Sequence, residues 1–474
     1  MQRTGFFHQG RGGRLVVLIV AALLGCPAGC SDKSHQPSRR QSGSNDAKAR
    51  LKWNIETLEK AYDEVGRRNP KWDKDVRHGL NEIARYLSYG QGKNGGSPEK
   101  AGELFDRAVS NGCDDPLAQY FCVRFGARYP AAEPKVWADA FVKAAQALHT
   151  SGYHPLRRFF ASVRAAEYLH WAKAEWKDVY DWRYQAADQC TTLATDNSIP
   201  FSEVYLAVSA LLECNNDHPK LAEKFFGNLE LYLDRYWSKE PGLQVLKGRA
   251  AFAGAWRARG VEYAQKTSDE QWKGFREGLD KAESAFNQAW KADPTNEEIP
   301  TYMIKVVQGQ GRERDEMELW FKRGMALDTN NYQACYAKLS YLQPKWFGSP
   351  DDLLAFGHEC VASTNWGGWV PLILADAHEM LARYLPKESR SDYWKNPEVW
   401  KDIKASFEKY HAIYPQATDG HDRYARFAAW CEQWEEFARQ VKQVPSINRD
   451  YFAEQGNFDD YVQAAEKAIG RSIW

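Results

Sequence analysis

From Lys52 onward the apolar residues recur at steps of three and four, and no stretch alternates with period two between hairpin-type turns. Steps of this kind place side chains on one face of a helix, so they limit the chain to helical layers with little or no sheet. Between Lys401 and Pro415 the stripe is Ile403, Phe407, Tyr410 and Tyr414; between Tyr332 and Leu342 it is Tyr332, Cys335, Leu339 and Leu342. The helices are short and their ends are marked. Ser97-Pro98-Glu99 and Ser349-Pro350-Asp351 each offer a serine cap, a proline for the first helical position and an acid beside the positive helix end. Asp115-Pro116, His218-Pro219, Asp293-Pro294 and Asn396-Pro397 mark further boundaries. Helix, tight turn and helix at this spacing predict stacked hairpins.

One pattern repeats. Ala282, Phe286, Ala289 and Pro294 have the same offsets as Ile403, Phe407, Tyr410 and Pro415, as Met317, Phe321, Gly324 and Thr329, and as Ala101, Phe105, Ala108 and Cys113. Small residues allow helices to approach, the aromatic fills the gap between hairpins, and a proline ends the helix. The pattern resembles the second helix of the tetratricopeptide repeat, and the segment 99–120 resembles the related Sel1-type repeat. The resemblance implies an all-α fold, an α-solenoid of stacked helical hairpins. It covers only part of the chain. Ile304 and Leu339 stand where that family usually has glycine or alanine, and no segment matches its peptide-holding residues.

The N-terminus carries an address. Arg3, Arg11 and Arg14 precede an apolar run at 15–24, too short for a bilayer span of about 20 residues and suited to a signal peptide. Leu23-Leu24-Gly25-Cys26 resembles the lipobox of bacterial lipoproteins, which implies that Cys26 carries the lipid, including palmitate, and begins the mature chain. Cys30 is the alternative site, although Pro27 departs from the pattern; an ordinary cleaved signal peptide with structural cysteines is the other reading. Residues 31–50 contain no large apolar side chain and read as a flexible tether. The expected organisation is a signal peptide at 1–25, a lipid-anchored tether at 26–50 and helical arrays at 51–255 and 256–474. It implies a membrane partner and a place in the cell envelope, in the periplasm or on the outer surface.

Composition and motifs narrow the function. Lys and Arg number 63, as do Asp and Glu, and they interleave, so no basic face for nucleic acid arises. His358-Glu359 and His378-Glu379 begin a zinc-protease motif, but Ala362 and Ala382 occupy the second histidine position. No Gly-rich phosphate loop, GxSxG or CxxC occurs, and Glu388-Ser389 has no surrounding glycosidase pattern. No metal cluster, cofactor site or catalytic residue is expected. The seven body cysteines read as buried thiols, and the exported location permits disulfides whose pairing spacing cannot give.

The unusual asset is aromatic: 19 Trp, 24 Tyr and 22 Phe. Rings such as Trp171 with Trp176, or Trp430 with Trp434, fill space between hairpins or form contact surfaces. Trp366-Gly367-Gly368-Trp369 breaks the helix and makes Trp366 and Trp369 the candidate ligand contacts. The leading expectation is a non-enzymatic scaffold for a protein or peptide partner. A carbohydrate or cell-wall module using exposed aromatics is the alternative, with a hydrolase of unrecognised helical site behind it.

Overall fold

A computed structural model describes residues 44–90, 94–126, 134–260, 264–415, 420–444, 447, 449–452 and 455–474. The signal peptide, Cys26, Cys30 and most of the tether lie outside them. Among the described residues there are helices and no strands. The first half holds α1 (Ser44–Ile55), α2 (Asp73–Tyr89), α3 (Pro98–Ser110), α4 (Pro116–Phe125), α5 (Pro134–His149), α6 (Pro155–Trp171), α7 (Trp176–Ala194), α8 (Phe201–Cys214), α9 (Pro219–Trp237) and α10 (Pro241–Arg259). The second holds α11 (Asp269–Ala292), α12 (Glu298–Gln310), α13 (Arg314–Leu327), α14 (Tyr332–Tyr341), α15 (Pro350–Ala362), α16 (Ile373–Tyr384), α17 (Pro397–Ile413), α18 (His421–Trp430), α19 (Trp434–Val441) and α20 (Phe458–Ile469).

The marked helix starts are built as their residues suggest. Ser97 and Ser349 accept from the backbone N–H of Lys100 and Asp352, Asp115 from Leu117 and Ala118, and Asn396 from Glu398, each with proline in the first turn. Most helices pack chiefly on their chain neighbours, although α8 packs about as much, and α14 more, on the alternate helices to either side, and the apolar interior divides into successive local clusters. Beyond neighbours, the even-numbered helices form a continuous row: α6 touches α8, then α8–α10, α10–α12, α12–α14 and α14–α16 follow. Among the described odd-numbered helices, comparable contact is made by α7–α9 and α15–α17. The even helices therefore lie closer together than the odd ones.

The four aromatics of the repeated pattern are interior. Phe105, Phe286, Phe321 and Phe407 are buried, as are Ala282 and Ala289, while Pro294 is exposed just past the end of α11. Two of the rings rest on glycines of earlier helices. A Cβ on Gly248 of α10 would stand 2.6 Å from the Phe286 ring, and one on Gly79 of α2 would stand 2.8 Å from the Phe105 ring. Ile304 and Leu339 are buried too.

Two boundaries differ from the sequence reading. Position 255 falls inside α10, not between arrays: Leu243 and Leu246 enter the first core cluster, while Val245, Phe252 and Ala255 enter the second. The helical period turns these residues to different faces, so one helix serves both cores. At the other boundary, helix begins at Ser44, inside the segment read as tether. α1 is held by polar side chains, which hydropathy does not register. Arg50 donates to Glu203 Oε1 (2.8 Å) and to the Leu87 carbonyl (2.7 Å). Asn54 meets Ser88 and Glu203, and Arg157 donates to Asn54 Oδ1 and Thr57 Oγ1, both at 2.7 Å.

His154 gives this docking a pH dependence. Its Nδ1 accepts from the Leu156 N–H (3.1 Å), capping α6, and its ring meets Trp53 of α1 edge-on at 5.2 Å. Burial, reinforced by Arg157, pushes the imidazole from 6.5 down to about 4. A folded pKa below the unfolded one means that the stabilising contribution is complete above pH 6.5 and is lost as pH falls through about 4. The urea midpoint should therefore decline across that window. His154→Asn, which keeps an accepting cap but does not titrate there, should flatten the decline; an unchanged slope would remove His154 from the account.

Candidate binding surface

The even row carries a line of tyrosines, arginines and carboxylates: the tyrosines, Glu379 and Arg423 are half-buried, Arg249, Asp376 and Arg426 are buried, and Arg383 is exposed. On α8, Tyr205 donates to Glu298 Oε1 of α12 (2.8 Å), reaching past α10. Arg249 of α10 fills the space between, donating to Ser209 Oγ (2.8 Å), Glu213 Oε1 (2.9 Å) and Glu298 Oε2 (3.4 Å). Its guanidinium lies 5.8 Å from the ring centroid of Tyr302, which stacks on the repeat aromatic Phe286 at 5.2 Å. The line continues through Tyr332 and Tyr336 of α14 to Asp376, Glu379 and Arg383 of α16, and then to Arg423 and Arg426 of α18.

The far end of the line is a compact charge network. Tyr332 donates to Asp376 Oδ2 (2.9 Å) and Arg423 to Asp376 Oδ1 (2.5 Å). Glu379 takes Arg426 (3.2 Å), Arg383 (2.9 Å) and, more distantly, Arg423 (3.6 Å). Arg426 also lies over the rings of Tyr451 (4.1 Å) and Trp430 (4.7 Å). Burial holds the Asp376 carboxyl above its usual range despite Arg423. For Glu379 burial pushes the same way, but Arg426, Arg423 and Arg383 outweigh it, so that carboxyl sits below its usual range. Burial also raises the Tyr332 and Tyr336 phenols, with Asp376 adding to it, which keeps both as hydrogen-bond donors. With its charges paired among themselves, the line offers hydrogen-bonding groups and ring faces and no single-sign field.

The candidate loop behaves differently from an open stacking platform. Gly368 takes φ +56° and its N–H donates to Tyr414 Oη (2.8 Å), while Gly367 N–H reaches the Thr329 carbonyl. Trp366 stands edge-on to Phe321 (5.8 Å) and Trp369 edge-on to Tyr332 (6.0 Å), and both rings are half-buried. Trp430 closes α18 and Trp434 opens α19, so a turn separates them and they share no helix face. Among the described residues the tryptophans that face solvent are Trp474, at the chain's last position, and Trp171 and Trp176, at 45% and 51% exposure, at the turn between α6 and α7, with Tyr180 beside Trp176 at 5.5 Å.

The fold also joins two histidines that the sequence shows only as failed motifs. His378 Nε2 and His358 Nε2 lie 3.1 and 3.2 Å from the same oxygen of Asp402, and His378 Nδ1 is 2.7 Å from Tyr393 Oη. The cluster pins α15, α16 and α17 together. Burial, with Asp402 adding to it, raises the Tyr393 phenol, which makes it a poorer nucleophile. Among the described residues no three His, Cys, Asp or Glu side chains are grouped to hold a metal ion, and no helix is long and apolar enough to cross a membrane. Glu388 is exposed on a short helical turn. No protein-family model and no curated protein matches the chain.

Proposed function

We propose that the chain is a non-enzymatic, lipid-anchored scaffold of a bacterial cell envelope, a solenoid that binds a protein or extended peptide along its even-helix face. The supporting observation is the contact of successive even helices, which aligns Tyr205, Arg249, Tyr302, Tyr336 and Glu379, with Arg426 of α18 joined to the line through its ion pair with Glu379. Crowding along one side of a hairpin stack curves it toward that side, and such inner faces suit extended partners. Phenols and guanidinium groups supply contact area and hydrogen bonds at low entropic cost, and the internally paired charges disfavour a polyanion. The resemblance to tetratricopeptide repeats agrees with this reading.

A photo-cross-linking residue at position 336, compared with one at exposed Glu277 on α11, tests the face in cells. A partner attached through 336, absent through 277 and reduced by Tyr205→Ala is the expected result. Equal labelling from both positions, or none from 336, refutes the face. For the anchor, labelled palmitate should enter the wild type and vanish in Cys26→Ser. Label that survives in Cys26→Ser but is lost in Cys30→Ser moves the site to the alternative, and no label in the wild type ends the anchor reading.

The exposure of Trp171 and Trp176 favours a second reading, a carbohydrate or cell-wall contact at the α6–α7 turn. Wall sacculi should then sediment with the protein and release it on Trp171→Ala and Trp176→Ala. Sedimentation lost instead in Trp366→Ala would return the contact to the Gly-Gly loop.

A further inference from the structure

We infer that Trp176 and Asp217 form a binding site for a neutral pyranose, the sugar face resting on the indole ring and its hydroxyls reaching the carboxylate and His170. For the source of the sugar it rests on the wall-contact reading of the α6–α7 turn, to which it adds the ligand class and the residues.

Three elements build the site. α6 ends with His170 and Trp171, and α7 begins with Trp176. Lys173 lies between them at φ +55°, and its N–H donates to the His170 carbonyl while that of Ala174 donates to the Leu169 carbonyl, both at 3.0 Å. Across this turn the His170 ring comes within 5.4 Å of the Trp176 ring, and Tyr180, one turn further along α7, stands 5.5 Å from it. The planes differ by 40° and 32°, so the rings lie along one another as a strip and do not form the upright walls of a cage for a quaternary ammonium group. The turn before α9 supplies Asp217. Its Oδ1 accepts from Arg183 Nη2 at 2.7 Å, and its Oδ2 lies 3.6 Å from His170 Nδ1. Trp171 belongs to another face, because adjacent helix positions do not point together; its ring stands edge-on to Tyr168 at 5.6 Å, on the side of Trp137 of α5.

The carboxylate is set in advance. The Arg183 side chain is 1% exposed, and its Nε and Nη1 are buried without a hydrogen-bond partner. Unsatisfied guanidinium nitrogens cost stability, and what this one secures is the orientation of Asp217, whose side chain is 31% exposed. A fixed acceptor beside an exposed ring suits a molecule with a C–H face and a rim of hydroxyl donors, and holding the acceptor beforehand lowers the entropic cost of binding. The surroundings decide against other ligands. Lys173, Glu175, Lys177 and Asp178 are exposed close to the indole in the chain, whereas the cores of protein interfaces are depleted of charge. Two cations and two anions balance, so the rim offers no single-sign field to a charged ligand. A neutral, hydroxyl-rich ring is the class that fits.

The full chain is titrated by calorimetry with tri-N-acetylchitotriose, cellotriose and maltotriose, and is sedimented with purified cell-wall sacculi. Binding of at least one sugar, together with sedimentation, is the expected result. Trp176→Ala should abolish both, and Trp176→Phe, which keeps a smaller ring, should retain part of the sugar binding. Asp217→Asn should weaken the sugar about tenfold or more, the usual worth of a hydrogen bond to a charged group, while Trp171→Ala stays within about twofold of wild type. Melting temperatures are measured alongside; if Asp217→Asn loosens the fold by leaving Arg183 unpaired, His170→Ala replaces it, again with weakened sugar binding expected. Binding of none of the three sugars, or binding that Trp176→Ala leaves intact, overturns the inference; sedimentation that vanishes from protease-stripped sacculi then assigns the ring to a wall protein. Sedimentation lost in Trp171→Ala but kept in Trp176→Ala also overturns it, while leaving the wall contact standing. Sugar binding that depends on Trp176, with no sedimentation of the wild type, supports the site and removes the wall as its source.

Discussion

Replacing Arg423 by alanine is expected to lower the unfolding free energy by about 3–5 kcal/mol at neutral pH, the usual penalty for removing one partner of a buried ion pair. Arg423 touches Asp376 at 2.5 Å and Glu379 at 3.6 Å, and its side chain and that of Asp376 are 12% and 8% exposed. Without it, Glu379 keeps Arg426 and Arg383, but Asp376 keeps only the Tyr332 hydroxyl among its recorded partners. The penalty therefore falls on Asp376. Burial already holds that carboxyl above its usual range, and losing the guanidinium raises it further. A folded pKa above the unfolded one gives stability that is complete below the unfolded pKa and lost as pH rises through the folded pKa. The deficit of Arg423→Ala should accordingly be larger at pH 7 than near pH 4, and Asp376→Asn in that background should recover part of it. Urea denaturation at both pH values decides; equal deficits would show that no uncompensated carboxylate is left behind.

Helix ends and the repeat aromatics were legible because their causes are local. A serine three residues before the N–H that it caps, or an aromatic on a repeating face, depends only on near neighbours, so Ser97, Ser349, Phe105 and Phe286 carry their roles in the text of the sequence. The first two turns of α1 were not legible. They bury Ala47 and Arg50, and Glu203, which satisfies Arg50, lies more than a hundred residues away. In isolation those residues belong to a polar tether, whereas Asn54 already falls in the segment read as helical. The same holds for the binding surface: no motif links Tyr205 to Glu298 or Asp376 to Arg423, and only the contact of alternate helices aligns them. The Gly-Gly loop was legible in its backbone but not in its side chains. The glycines do break the helix, yet Tyr414 and Asn330 close in on them and the flanking rings pack against Phe321 and Tyr332. Residues of α13, of α14 with the turn before it, and of the end of α17 decide that outcome.

The second large effect concerns Phe286, whose replacement by alanine should cost about 3–5 kcal/mol. The ring is wholly buried, stacks on Tyr302 at 5.2 Å with 19° between planes, and presses on Gly248 of α10. Removing it opens a cavity between α10, α11 and α12, and it also takes the support from a tyrosine of the proposed binding face. The glycine supplies the sharper test. In the wild type, Gly248→Ala places a methyl 2.6 Å from the ring, closer than carbon atoms pack, and overpacking of this kind costs about 1–3 kcal/mol. In the Phe286→Ala background the obstacle is gone. There the same change should stabilise by up to about 1 kcal/mol, because alanine is the better helix former. The effect of one methyl group thus reverses sign with the presence of one ring. Thermal and urea unfolding of the four proteins of this cycle measure the coupling. Additive effects would mean that α10 and α11 are not seated ring on glycine, and the register of the second core cluster would have to be drawn again.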